Sequence, residues 1–207
     1  MASIKQIQVF TTLIAALVLT DCTPDAAPVP RQPALGSGVA HSCLLTQQGE
    51  VFCWGQGAHT NQEISTDMFG KPFQVEGLDA ISLDAGWYHT CAATRDGHVK
   101  CWGLNNNGQL GNGATEDSFS PVDVTGLEDL TSVAAGAAHS CSLDASGEVY
   151  CWGQNSLGQL GDGTTTDRSQ PVQVTDLSAP AVSIAAGPTY TCALPVSGML
   201  GTAYLFS

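Results

Sequence analysis

The 207-residue sequence predicts an all-β fold made of tandem copies of one sheet unit. The first observation is a recurring phrase: HSCLLTQQGEVFCWG at 41–55, HTCAATRDGHVKCWG at 89–103 and HSCSLDASGEVYCWG at 139–153, with a fourth copy opening at 190 as YTCALPVSG. The second is its period. Cys43, Cys91, Cys141 and Cys192 open the copies at spacings of 48, 50 and 51. A period near fifty marks a solenoid or a propeller, each copy being one supersecondary unit. The third is composition. With 12% charged residues, 43% hydrophobic residues and 23 glycines, the chain suits short strands joined by tight turns and carries too much apolar surface for disorder.

The N-terminus stands apart from the repeats. Lys5 precedes an apolar stretch from about Val9 to Leu19. That is shorter than the roughly 20 apolar residues of a membrane-spanning helix and has the length of a secretory h-region. Residues 1–21 therefore read as a signal peptide, with a buried core helix as the alternative. LTDC at 19–22 resembles the lipobox of bacterial lipoproteins, with Leu19 in its place and Cys22 as the residue that takes the lipid. Asp21 departs from the small residue usual before the cysteine. Ordinary cleavage a few residues later, giving a free secreted protein, is the alternative. Either route exports the chain, to a bacterial cell envelope or beyond it. Residues 22–35 hold Pro24, Pro28, Pro30 and Pro33, favour extended polyproline II and read as a tether.

The repeat region runs over 36–207, in units of about 36–85, 86–135 and 136–186 and a partial unit at 187–207. Gly-x-x-His opens each complete unit: Gly38 to His41, Gly86 to His89 and Gly136 to His139. The first cysteine begins a short strand, and a glycine follows six residues later, at Gly49, Gly97, Gly147 and Gly198. A second strand then runs into Cys-Trp-Gly. A polar, Gly-rich stretch follows and ends in Pro-Val-x-Val, which reads as an outer strand with Pro at its start, where a missing N–H does no harm.

The cysteine spacing has a geometric reading. If Cys141 and Cys151 face each other in a hairpin, the loop centres on Ser146 and comprises Ala145, Ser146 and Gly147. Three-residue hairpin loops use a left-handed third residue, which suits Gly. Facing residues lie about 4.5–5.5 Å apart at Cα, within disulfide range. The predicted pairs are Cys43–Cys53, Cys91–Cys101 and Cys141–Cys151. Zinc favours cysteines two to four apart, and free buried thiols belong to a reducing compartment, so both are weaker readings. Cys192 is left unpaired, because its partner by phase is Thr202.

The units resemble the repeats of the regulator of chromosome condensation family. The matching residues are H-[ST]-C-x-x-x-x-x-G-x-V-x-C-W-G, then N-x-x-G-Q-L-G-x-G with Gly-Gln-Leu-Gly at 108–111 and 158–161, then P-V-x-V and A-A-G, over about residues 36–198. The resemblance implies a β-propeller of four-stranded blades, in the cysteine-paired form of exported bacterial proteins. It also implies about three and a half blades, an incomplete ring or open arc, where the family usually closes seven. The first unit lacks Gly-Gln-Leu-Gly and reads as an edge cap. After Gly198 the pattern gives way to MLGTAYLFS, as in a truncated or frame-shifted chain.

Charge and motifs then bound the function. The net charge is −13, and only Lys71, Arg95, Lys100 and Arg168 lie beyond residue 35, so no basic stripe exists for nucleic acid. No nucleophile elbow, phosphate loop or zinc helix occurs, so no catalytic residue, metal or cofactor is predicted. His41, His89 and His139 share one slot and read as hydrogen-bonded packing residues; Tyr190 fills that slot in the fourth unit. Trp54, Trp102 and Trp152 share another and read as packing between blades. The Asp-rich loop at 162–167 reads as turn-forming, with Ca²⁺ binding as the alternative. The pair before the His slot varies, and only Trp87-Tyr88 is large and aromatic, which makes it the candidate partner-binding site, against the alternative of filling a core gap. The expected function is a non-enzymatic cell-envelope binding module for a protein or glycan. The membrane would be met through the lipid anchor only, and open blade edges would allow self-association. The alternatives are a regulator of another enzyme, as inhibitor or guanine-nucleotide exchange factor, and a propeller fragment with no function of its own.

Overall fold

The computed structural model describes residues 33–55, 71–196 and 204–206. Among them every regular element is a strand, and the strands form four antiparallel sheets in chain order. The first sheet is β1 (Ala34–Ser37), β2 (His41–Leu45), β3 (Val51–Gly55) and β4 (Phe73–Val75). The second is β5 (Ala80–Ala85), β6 (His89–Thr94), β7 (Val99–Gly103) and β8 (Ser118–Asp123). The third is β9 (Leu130–Ala135), β10 (His139–Asp144), β11 (Val149–Gly153) and β12 (Arg168–Gln173). The fourth has three strands: β13 (Ala181–Ala186), β14 (Thr191–Pro195) and β15 (Tyr204–Phe206). These are propeller blades stacked as an open arc, as the sequence predicts. Their first strands, β1, β5, β9 and β13, pack on one another in succession and form the inner edge.

Each sheet is offset from the repeat as it reads in sequence. Strand β5 closes one repeat in the chain yet opens the second sheet, because Gly86 N–H donates to the His89 carbonyl (2.9 Å) and folds β5 back onto β6. The same turn recurs at Gly38, Gly136 and Gly187. A side chain at Gly86 is impossible: its Cβ would lie 2.3 Å from the Gly136 carbonyl oxygen and 2.3 Å from the His89 ring.

The cysteine hairpins take the predicted form. Cys141 faces Cys151 across β10 and β11, and Asp144 and Glu148 flank a loop of Ala145, Ser146 and Gly147. Gly147 is left-handed, with φ 88°. The Asp144 carboxylate accepts from the N–H groups of Ser146 (2.9 Å) and Glu148 (2.8 Å), which holds the turn closed.

Two expectations are corrected. Pro121 and Pro171 lie inside the outer strands β8 and β12, not at their start. They fall at the irregularity where Gly103 pairs Ser118 while Cys101 pairs Val122, and where Gly153 pairs Arg168 while Cys151 pairs Val172. A bulge on an edge strand is where a ladder tolerates proline. In the fourth sheet, Cys192 faces Leu205, not Thr202. The chain past Gly198 no longer follows the repeat, and Tyr204–Phe206 adds to β14 in its own register.

The core lies between sheets. Strands β6 and β10 are covered on both faces and are built of small residues, Ala, Cys, Ser and Thr among them. In the first sheet β2 alternates buried and half-buried positions, because among the described residues only one of its faces carries another sheet. One apolar cluster fills each of the three gaps between successive sheets.

Candidate functional site

The three predicted cysteine pairs come together as disulfides, each with Cα atoms 4.1 Å apart and a sequence separation of 10. Cys192 is a free, half-buried thiol. Cys22, with the signal-peptide and most of the tether segment, lies outside the described residues.

The histidine slot is a ladder between sheets. His41 Nε2 lies 2.8 Å from Thr90 Oγ1, His89 Nε2 2.8 Å from Ser140 Oγ, and His139 Nε2 2.9 Å from Thr191 Oγ1. Each His therefore reaches the Ser or Thr beside the corresponding slot of the next sheet. Ser140 Oγ donates to the Gln109 carbonyl (2.9 Å), so the imidazole must supply the proton of the His89–Ser140 bond. The imidazoles are buried, and burial lowers the pKa of His139 to about 4, partly offset by the backbone of Tyr190. Each ring is locked between two sheets and links them as a strut.

The Gly-Gln-Leu-Gly loop is the counterpart of the tryptophan. Trp152 is fully buried against the second sheet, and its Nε1–H donates to the Gln109 carbonyl (2.9 Å). Asn105, also fully buried, organises that loop: its Oδ1 accepts from Leu110 N–H (2.9 Å) and its amide donates to the Ala114 and Glu116 carbonyls. Asn155 repeats this one sheet later, with Leu160, Thr164 and Thr166. The acidic groups at 162–167 are engaged locally. Asp162 accepts from Thr164 and pairs with Arg168 at 2.9 Å, and Asp167 accepts from the Asn155 N–H at 2.7 Å. Despite the desolvation that raises it, these bonds hold the Asp162 carboxyl below its usual range. Among the described residues no group of three or more His, Cys, Asp or Glu is placed to hold a metal, and no helix is long and apolar enough to cross a membrane.

The inner edge is different in character. The Gly-x-x-His turns carry their variable pairs at the tips, so Val39-Ala40, Trp87-Tyr88, Ala137-Ala138 and Pro188-Thr189 project from equivalent places on four sheets. Beside them runs a depression of about 250 Å³ whose lining includes Ser37, Asp84, Trp87, Ala137 and Pro188. Trp87 is 47% exposed, while Tyr88 is half-buried and its carbonyl accepts from the Leu104 N–H at 2.8 Å. The two aromatics thus part: Trp87 faces solvent, while Tyr88 is half-buried.

Asp84 is the residue the sequence reading missed. It is the one charged side chain lining this depression among the described residues. Burial raises its pKa, and the N–H groups of Ala135 and Ala85, each 2.9 Å from a carboxyl oxygen, work against that shift. The bond to Ala135 also ties the second sheet to the third. The signal was present in the chain: the stretch that enters the second sheet reads LDAG where those entering the next two read VAAG and IAAG. An exposed indole beside a carboxylate offers an apolar or cationic side chain a face to stack on and an edge to pair with.

The regulator of chromosome condensation (RCC1) repeat model matches residues 96–143 and 146–194, and a second model of the same repeat matches 34–60, 80–109 and 130–159. No curated protein matches the chain significantly. Among solved structures, yeast RCC1 (Prp20) bound to Kap60 is 22% identical, with a TM-score of 0.71 over 87% of this chain and 44% of that one. Human WBSCR16 is 21% identical, with a TM-score of 0.72 over 87% of this chain and 49% of that one. Prp20p from Saccharomyces cerevisiae, described with its binding to Gsp1p and histones, is 24% identical, with a TM-score of 0.70 over 88% and 46%. The chain spans a little under half the length of each of these solved chains.

Proposed function

The chain belongs to the regulator of chromosome condensation (RCC1) repeat family, and from that premise we propose that it is a non-enzymatic binding module of a bacterial cell envelope, held by a lipid on Cys22 and recognising a protein partner at its inner edge. The observation that carries the reading is the exposure of Trp87 at a turn tip whose counterparts are Val39, Ala137 and Pro188. A rigid aromatic displayed on a braced turn is the kind of side chain that anchors interfaces. The slots that recur from unit to unit are consumed in holding sheets together, which leaves the variable tips to carry specificity. Three cysteine pairs at disulfide distance support an oxidising, exported setting. The acidic balance of −13 and the carboxylate of Asp84 favour a partner that presents basic side chains.

Two experiments test this. Capture from envelope extract with the wild-type chain and with Trp87→Ala should recover a partner with the first and lose most of it with the second. Equal recovery removes the anchor. Labelling with a lipid precursor should mark the wild-type chain and spare Cys22→Ser; equal labelling removes the lipid site.

A further inference from the structure

Two slots of the second sheet depart from the repeat, and both departures line one depression. Asp84 faces Cys91 across the ladder, where Gly36, Ala134 and Ala185 face Cys43, Cys141 and Cys192 in the other sheets. Trp87 holds the turn tip where the others carry Val39, Ala137 and Pro188. The same strands and turns form around those smaller residues, so neither the carboxylate nor the indole is required to build the sheet.

The room beside them comes from bare backbone. Gly86, Gly136 and Gly187 line the depression, and a Cβ at Gly86 or Gly136 would lie 2.3 or 2.5 Å from the carbonyl oxygen of the next turn's glycine. Its volume of about 250 Å³ falls below the roughly 300–1,000 Å³ of small-molecule sites and suits one side chain of a larger partner. Asp84 is short of partners there. Each carboxyl oxygen accepts one N–H, from Ala85 or Ala135, and keeps a second acceptor position. Among the described residues no cation is paired with it; Arg95, Lys100 and Arg168 pair with Asp79, Asp123 and Asp162. Desolvation outweighs both N–H bonds and raises its pKa, as befits a carboxylate without a countercharge.

We infer that the depression takes the guanidinium of a single arginine on a protein partner, paired with Asp84 and stacked on Trp87. The inference rests on the proposed reading of the inner edge as the binding surface, and it names the chemistry recognised there. A guanidinium is planar and carries a fork of donors, so it can fill the open acceptor positions of a carboxylate while its face lies on an indole. The exposed indole of Trp87 and the carboxylate of Asp84 supply those two contacts on one depression. A lysine ammonium is a point charge with no plane to stack, so it can satisfy the charge but not both contacts at once. A neutral side chain would leave the desolvated carboxylate without a countercharge.

The probe is Nα-acetylarginine amide, titrated into the full chain and followed on the Trp87 indole N–H resonance, the one missing from Trp87→Ala. Nα-acetylcitrulline amide has the same shape with a neutral urea, and Nα-acetyllysine amide keeps the charge without the plane. The arginine probe should shift the resonance saturably and bind about tenfold or more tightly than the citrulline probe, with the lysine probe between them. Asp84→Asn should bring arginine down to the level of citrulline. The citrulline arm tests the charge on the unaltered chain, so a variant that fails to fold does not shelter the inference. Arginine binding no tighter than citrulline or lysine overturns it. So does a Trp87 resonance that no probe moves, and so does arginine binding that survives in folded Asp84→Asn. Capture from envelope extract then separates the two ideas. A partner lost with Trp87→Ala but kept in excess arginine probe sinks the arginine and leaves the binding surface standing; a partner kept with Trp87→Ala sinks both.

Discussion

Removing the hydroxyl of Ser140 probes the strut between the second and third sheets. Ser140 Oγ receives the His89 Nε2–H at 2.8 Å and donates to the Gln109 carbonyl at 2.9 Å, and all three residues are buried. Ser140→Ala leaves the Gln109 carbonyl with Trp152 Nε1 as donor, so that acceptor stays satisfied. The His89 N–H loses its acceptor on Ser140. A buried donor left without its acceptor costs about 1–3 kcal/mol, and the lost bond to Gln109 adds about 1 kcal/mol. The expected total is about 2–4 kcal/mol. Ser42→Ala is the internal control. Among the described residues the same slot in the first sheet meets only Ser37, at 3.4 Å, and is half-buried, so its loss should cost under about 0.5 kcal/mol. Urea unfolding followed by tryptophan fluorescence gives both values. A double-mutant cycle between His89→Ala and Ser140→Ala should show a coupling of about 1 kcal/mol or more. Equal costs at Ser140 and Ser42, or a coupling near zero, refute the strut.

Four further outcomes follow from the same geometry. His139 titrates near 6.5 when unfolded and about 4 when folded, so the unfolded state binds the extra proton between those values. Stability should be level above pH 6.5 and fall by about 3 kcal/mol towards pH 4, and unfolding midpoints of the wild type and His139→Gln across that range check it. Replacing both Cys91 and Cys101 by Ser opens a loop with a separation of 10 and should cost about 2–3 kcal/mol. In the unreduced chain from residue 33 onward, alkylation followed by mass spectrometry should mark Cys192 alone. Gly147→Ala puts a Cβ 2.5 Å from Pro180 at a φ of 88° and should cost at least about 2 kcal/mol, while Gly77→Ala, at φ 75° with nothing within 4 Å, should cost only about 1 kcal/mol. Thermal melts that rank them otherwise would show that the close approach of the third and fourth sheets at Gly147 is not the constraint.

Local features were legible in the chain because they are settled within a few residues. Ten positions from Cys141 to Cys151 leave room for one hairpin with a three-residue loop, and the glycine at 147 falls where the left-handed residue must be. The spacing of the copies is a covalent property of the sequence, so the number and kind of sheets could be read directly. Tertiary structure decided everything that passes between sheets. His89 and Ser140 are 51 residues apart, and alternation along a strand separates its two faces without saying which neighbour each one meets. The offset of β5 into the next sheet, the parting of Trp87 from Tyr88 and the entry of Asp84 into the inner depression all depend on stacking. So does the pairing of Cys192 with Leu205, which no repeat could foretell once the repeat had ended. Sequence determines a contact whose partner lies along the same short stretch of chain; where the partner is supplied by another sheet, only the packed arrangement of surfaces selects it.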